Sequence, residues 1–198
     1  MTRNAITMTR AASRRIGLLA SLRRGWNSDC ASQVVETALS LPLLVLFVVG
    51  VFDFSGAITL KQKLTNAARE GARVAASDPA SDMFATVPVA INDAGQVVDN
   101  YLRSENINDC GLGPTLPAPT QTKLTWKYAS TGSCPGTGIS VAINRGCSTL
   151  ENSINLIGTC VTITYAYKWQ FNSVSGLFGK SVTGPTTLTT SAEAFNEN

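Results

Sequence analysis

An uncharged apolar stretch is the feature that most limits what this chain can fold into. No charged residue lies between Glu36 and Asp53, and apart from Asp53 the apolar and small-residue character continues to Leu60. As a helix, residues 38–60 would rise about 35 Å, which is enough to cross a bilayer core of about 30 Å. The stretch therefore predicts one membrane-spanning helix.

The helical pattern does not stop at the end of the apolar stretch. The next residues are rich in alanine and contain no proline before Pro79, which disfavours helical geometry at the residue preceding it. The sequence therefore predicts one long helix over 32–77, with a membrane span at about 38–60 and a stalk at 61–77.

The predicted stalk carries small residues at intervals of four, and this spacing places them on two neighbouring helix faces. Small faces let another element approach closely, and the approaching element is either a helix of a second subunit or a part of the same chain. Glu70 and Arg73 are spaced to form an ion pair. The residues predicted to pack are Ala68, Gly71, Ala72 and Ala75.

The residues before the span form a basic segment. Residues 1–31 contain six arginines and one aspartate, whereas ten basic and ten acidic residues cancel from Lys61 onward. Arginines next to an apolar span predict that the N-terminal leader is cytoplasmic and that the rest of the chain lies outside. A basic arm can also bind nucleic acid or anionic lipid, but orientation is the commoner role beside a span, and we expect no nucleic-acid partner.

A cleaved secretory signal is an alternative reading of the same stretch. Ser55-Gly56-Ala57 is a small-residue site of the kind that signal peptidase accepts. However, the basic region would exceed about 30 residues and the apolar region would run past about 15, and both are long for a signal peptide.

The cysteines predict disulfides in the exported part of the chain. Cys30 precedes the span, whereas the other four follow it, and an even number outside the cell indicates two bridges with three possible pairings. Metal sites usually need closely spaced pairs, and the chain has no histidine, so we expect no metal, no cofactor and no enzymatic activity. The predicted disulfide residues are Cys110, Cys134, Cys147 and Cys160.

The segment 78–198 predicts an α+β domain outside the membrane. A second helix is expected after Pro88, followed by an extended linker over 109–121 that is rich in proline and glycine. From Thr122 the apolar residues alternate with polar ones, which predicts three or four antiparallel strands packed on the long helix. Residues 148–157 are compatible with a short helix capped by Ser148 or with a disulfide-tied loop.

Two ordered motifs in the first half of the chain resemble a known family. One surrounds the start of the apolar stretch and the other lies in the predicted stalk, and together they extend over about 45 residues. This arrangement is similar to the TadE-like family of tight adherence (Tad) pilus assembly proteins, and the closing Thr-rich segment is also similar. The matching residues are Val35-Glu36, Ala38-Leu39, Leu41-Pro42-Leu43-Leu44 and Ala67-Ala68-Arg69-Glu70-Gly71-Ala72-Arg73.

The resemblance implies a pilin-like fold: a long N-terminal membrane-spanning helix that extends into a C-terminal antiparallel sheet domain with a second helix. It also implies cleavage by a prepilin peptidase between Ala31 and Ser32, although Ala31 stands where the family usually has glycine and Thr37 where an aromatic residue is common. A TadG-like relative would keep its N-terminus. Prepilin cleavage, signal cleavage and no cleavage predict mature chains that begin at Ser32, at Ile58 and at Met1.

The function implied by the resemblance is that of a minor pseudopilin or assembly component of a Tad-type pilus in a bacterial inner membrane. Glu36 would then pair with the freed amine of a neighbouring subunit, or, alternatively, lie among lipid headgroups beside Arg24. The implied partners are other pilins or pseudopilins, inner-membrane Tad proteins, prepilin peptidase and membrane lipid. The rival interpretations are a major filament subunit and a signal-anchored exported binding module or enzyme unrelated to pili.

Overall fold

The computed structural model describes residues 29–77, 85–132, 134, 137–151, 154–169 and 187–196. The predicted leader up to residue 28 and the predicted turn at 171–180 lie outside these residues. The chain divides into two compact units, an N-terminal unit, Met1–Val51, and a C-terminal unit, Phe52–Asn198.

One long helix begins in the first unit and ends in the second. Helix α1 extends over Asp29–Ser77, so it begins three residues before the predicted start. Among the residues described, it is the one helix long and apolar enough to cross a membrane. Hydroxyl groups near its start donate to backbone carbonyls of their own helix: Thr37 Oγ1 to Gln33 O at 2.9 Å and Ser40 Oγ to Thr37 O at 3.2 Å. These bonds satisfy polar groups that would otherwise be costly to place in lipid.

The second predicted helix is confirmed. Helix α2 extends over Val89–Ser104, and Pro88 precedes it in an extended conformation. The pattern of the sequence predicts an apolar face made of Val89, Ile91, Val97, Val98, Tyr101 and Leu102. Of these only Val89 is exposed, and the small residues Ala94 and Gly95 are buried as well. The long apolar side chains of α2 that are fully buried are Ile91, Val98 and Leu102.

The sheet has five strands, where three or four were predicted. The strands are β1, Thr120–Thr122; β2, Thr125–Ser130; β3, Ile139–Glu151; β4, Ile154–Ala166; and β5, Thr187–Phe195. They lie side by side in chain order and every neighbouring pair is antiparallel, so the sheet is a meander.

The helical interpretation of residues 148–157 was wrong, whereas the disulfide expected in the other interpretation is present as Cys147–Cys160, although the tied segment is a pair of strands rather than a loop. This segment forms the end of a long hairpin in which Ser148 pairs with Ile157 and Glu151 pairs with Ile154, beyond an irregularity between Asn144 and Cys147. Cross-strand pairing overrides the local capping signal of Ser148, because strand formation depends on contacts that a short window of sequence does not contain.

The core lies between one face of the sheet and the two helices. The sheet contributes inward-facing residues of β2, β3 and β4, and α1 contributes Leu64 and a row of alanines. The segment 109–121 is irregular up to β1, as predicted, but it is packed rather than exposed, because Cys110 and Leu112 join the same core. The largest fully buried sheet residues are Trp126, Tyr128, Ile139, Val141, Ile143, Val161 and Ile163.

Candidate assembly surface on the long helix

The first half of α1 presents apolar side chains to its surroundings. Leu39 is 72% exposed and Phe52 is 75% exposed, and most of the large residues between them are also exposed. Monomeric soluble proteins rarely expose a contiguous apolar surface of this extent, and such surfaces are typical of membrane or protein interaction sites. We call it the uncovered apolar surface; its residues are Val34, Val35, Leu39, Leu41, Leu43, Leu44, Val45, Phe47, Val48, Val51 and Phe52.

Glu36 lies near the start of this surface and is itself exposed. An acidic side chain costs about 2.5–3.5 kcal/mol at the centre of a membrane helix and less toward the interface. A cationic partner would reduce that cost, and Arg24, one predicted neighbour, lies outside the described residues. Whether Glu36 acts in assembly stays a prediction.

The predicted cleavage bond between Ala31 and Ser32 lies within the first turn of α1, which begins at Asp29. Helix ends fray, since their first N–H groups have no partner within the helix. Whether a peptidase cleaves this bond stays a prediction.

Asp53 has a partner that sequence reasoning missed. The side chain of Asp53 is 6% exposed, and the Tyr167 hydroxyl lies 3.2 Å from its Oδ1 and 3.3 Å from its backbone oxygen, close enough to donate to both. Burial, followed by the hydrogen bond and the charge of Asp53, raises the pKa of Tyr167. The ring of Trp169 packs edge-on against that of Tyr167, with 5.0 Å between centroids.

The sequence draws attention to each of these two residues separately, but it does not indicate that they lie close together. Asp53 stands out as an isolated carboxylate in an apolar stretch, and Tyr167 continues the alternation of β4 beyond its end at Ala166. Nothing local connects residues that are 114 positions apart.

The structure places the predicted packing residues of the stalk inside the C-terminal unit. Ala68, Ala72 and Ala75 are fully buried, and a Cβ added to Gly71 would lie 2.7 Å from Cγ2 of Val98. These small faces thus let α1 lie close to α2 within one chain. The predicted ion pair is also present, since Arg73 Nη2 lies 3.0 Å from Oε1 of Glu70.

The four cysteines that follow α1 form two disulfides, Cys110–Cys134 and Cys147–Cys160. Both join cysteines that are consecutive in the chain. Oε1 of Glu193 lies 3.9 Å from the sulfur of Cys147. Cys147, Cys160 and Glu193 thus form a cluster of possible metal ligands. However, the two sulfurs are bonded to each other and are not thiolates, so the cluster lacks the ligands that a metal site needs while Cys147–Cys160 is intact.

The other buried polar groups of the C-terminal unit fit a structural role. Burial and the nearby charge of Asp109 raise the pKa of Asp99, while the guanidinium of Arg103 opposes this effect. Burial raises the pKa of Tyr128 to about 12. Tyr128 also borders a groove of ≈ 370 Å³, whose remaining lining is Val87, Val89, Asn92, Leu116, Pro117, Ala118 and Pro119. Among the residues that the structure describes, no carboxylate or thiol lines this groove.

Comparison with known proteins gives a family match for one region of the chain. Neither the curated proteins nor the solved structures gave a match. The model of the TadE-like protein family matches residues 31–73, which are the residues of α1 that carry both motifs. The long helix of this chain is therefore a TadE-like segment.

Proposed function

We propose that this chain is a minor pseudopilin or assembly component of a Tad-type pilus, anchored in the inner membrane by the first half of α1. Its N-terminus faces the cytoplasm and its C-terminal unit lies outside. The role is structural: the chain binds other subunits and performs no chemical step.

One observation carries the proposal. The TadE-like match lies on the same helix that leaves its apolar side chains uncovered, from Val34 to Phe52. A helix that merely stabilised a soluble fold would bury such residues, as α1 does with Leu64 and the alanines that follow. The uncovered apolar surface is accordingly available to lipid and to the helices of partner subunits.

The mechanism is lateral association of helices. Apolar helices in a membrane associate through close packing and through polar groups that find partners between them, since lipid is as apolar as the side chains. The stalk residues from Ala68 to Ala75 are occupied within the chain. Partner helices therefore pack on the uncovered apolar surface, while the C-terminal units determine which neighbours fit.

Glu36 sets the register of this packing. A carboxylate in an apolar surface is most stable opposite a cation, and the freed amine of a Ser32 terminus on a neighbouring subunit supplies one if the leader is removed. Such a pair permits one axial offset between neighbouring helices and disfavours others, because any other offset leaves both charges in an apolar environment.

Glu36→Gln tests this role, with Glu70→Gln as the matched control. Glu70 is a carboxylate on the same helix, but it pairs with Arg73 of its own chain. We expect Glu36→Gln to lower incorporation into pilus preparations at least about tenfold, the ratio that corresponds to 1.4 kcal/mol. Incorporation is measured by quantitative immunoblotting of sheared filaments and of the membrane fraction from cells carrying each variant.

Both variants should remain in the membrane fraction at the wild-type level, because the apolar residues that drive insertion are unchanged. Equal incorporation of the Glu36→Gln and wild-type chains would dismiss the register role. A wild-type chain recovered in the soluble fraction would overturn the membrane-anchored assembly role as a whole.

A further inference from the structure

We infer that the C-terminal unit rests on the membrane surface through the segment Tyr167–Trp169, which binds the phospholipid headgroup region. On the helix face that carries Asp53, the hydrocarbon then ends just before Asp53 rather than at Leu60, the end of the predicted span. This inference rests on the proposed membrane anchoring and specifies where the anchor stops.

The first support is that protein covers one face of α1 from Asp53 onward. Asp53 is 6% exposed beneath Tyr167, and Ala57 and Leu64 on the same side of the helix are also buried. Other sides of the helix stay open, since Phe52 is 75% exposed and Phe54 is 61% exposed. Lipid chains cannot occupy a helix face that protein already covers, so on the Asp53 face the hydrocarbon ends before Asp53.

The second support is length. Residues 32–52 of α1 rise about 31 Å, which matches a hydrocarbon core of about 30 Å. A span over 38–60 would instead place Asp53 and the Tyr167 hydroxyl among lipid tails. The shifted span moves Glu36 toward the inner interface, where an acidic side chain is less costly than at the centre.

The third support is the chemistry of the segment itself. Tyrosine and tryptophan are enriched at membrane–water interfaces, because their rings are apolar and their O–H and N–H groups reach polar partners. Lys168 lies between the two aromatic residues and is exposed, and its ammonium group complements lipid phosphates. Asp53, an acidic residue close to this segment, is 6% exposed and lies beneath Tyr167, so its carboxylate is shielded from the lipid phosphates.

Lipid-borne quenchers test the inference on the full chain. Single cysteines are introduced at Lys168, Leu44 and Asp93 in a Cys30→Ser background, labelled with a bimane fluorophore without reduction, and reconstituted into phosphatidylcholine–phosphatidylglycerol vesicles. The vesicles contain lipid with a nitroxide either on the headgroup or midway along the acyl chain.

The three positions differ in expected depth. Leu44 lies in the uncovered apolar surface and reports insertion. Asp93 is exposed and precedes Ala94, whose backbone oxygen lies close to Gly71 of α1. Gly71 is 18 residues after Asp53, which corresponds to about 27 Å along the helix. It therefore serves as the control for a position remote from the membrane.

We expect the headgroup nitroxide to quench most of the fluorescence at K168C, the acyl-chain nitroxide to quench L44C, and neither to quench D93C. If L44C is quenched while K168C behaves like D93C, the headgroup contact is overturned and the membrane anchor stands. If L44C is quenched by neither lipid, the anchor itself is overturned, and the inference falls with it.

Discussion

At the residue scale, Asp53 shows how α1 tolerates a carboxylate directly after its uncovered apolar surface. Its charge is enclosed rather than solvated, with the Tyr167 hydroxyl close enough to donate to its side chain. Hydrogen bonds to ionised groups are stronger than neutral ones, and a buried carboxylate that loses a donor retains its desolvation cost. The pair therefore joins the end of β4 to the helix by a contact that is costly to break.

Tyr167→Phe should destabilise the C-terminal unit by about 1–3 kcal/mol, the cost of removing one hydrogen bond from a buried carboxylate. The measurement is thermal unfolding of the full chain in detergent, followed by near-ultraviolet circular dichroism. The same substitution in an Asp53→Asn background is the control, because the amide places no ionised group opposite the missing hydroxyl. Equal losses in both backgrounds would show that Asp53 and Tyr167 are not coupled.

At the element scale, close packing within the C-terminal unit depends on residues without a side chain: Gly71 of α1 lies against Val98 of α2, and Gly95 of α2 lies against Leu116 of the irregular segment. Gly71 and Gly95 each lie where an added Cβ would meet a neighbour closer than 3 Å, Cγ2 of Val98 in the first case and Cδ1 of Leu116 in the second. A helix pays about 1 kcal/mol for a glycine relative to alanine. Both positions accept that cost because close approach of the elements requires it.

Gly71→Ala should lower the free energy of unfolding of the C-terminal unit by about 1–2 kcal/mol, since the overpacking cost exceeds the gain in helix propensity. Gly50→Ala is the matched control, because an added Cβ there meets nothing within 4 Å. It should leave the unfolding of the C-terminal unit unchanged. Urea titrations of both variants in detergent, followed by fluorescence of the buried Trp126, measure the difference, and a stabilising Gly71→Ala would refute the close-packing argument.

The elements with strong periodicity were predictable, and the contacts between them were not. An unbroken apolar run marks α1, and alternation marks β2 and β4, because those signals are local. Residues 148–157 were misread, since their pairing partner lies across a hairpin rather than within one helical turn. The Asp53–Tyr167 contact and the choice among three disulfide pairings depend on distances in space, which composition and spacing do not encode.

At the scale of the whole molecule, the two units depend on different solvents. The described residues of the N-terminal unit leave their apolar side chains uncovered, so that unit is stable where lipid replaces water. The C-terminal unit buries its own core and adds two disulfides, a combination suited to an oxidising compartment. Each unit would be poorly suited to the surroundings of the other, which agrees with a chain that crosses a membrane.

The two disulfides should contribute unequally to the C-terminal unit. A chain-entropy argument assigns roughly 3–3.5 kcal/mol to each, with the larger value for Cys110–Cys134 because it closes the longer loop. Cys147–Cys160 joins strands that are already paired by a ladder of hydrogen bonds, whereas Cys110–Cys134 retains an irregular segment that brings Cys110 and Leu112 into the core. Removing Cys110–Cys134 therefore also releases buried apolar surface.

We expect the Cys110→Ser/Cys134→Ser variant to lose at least 3 kcal/mol of unfolding free energy, and Cys147→Ser/Cys160→Ser to lose less. The values come from urea titration of the full chains in detergent. Cys30→Ser, which alters a residue outside the C-terminal unit, should change nothing. The reverse ranking would show that the hairpin of β3 and β4 depends on Cys147–Cys160 more than the core depends on the segment held by Cys110–Cys134.

Thiol labelling of Cys110, Cys134, Cys147 and Cys160 in the unreduced wild-type protein would contradict both bridges, because a sulfur in a disulfide does not react with a thiol reagent.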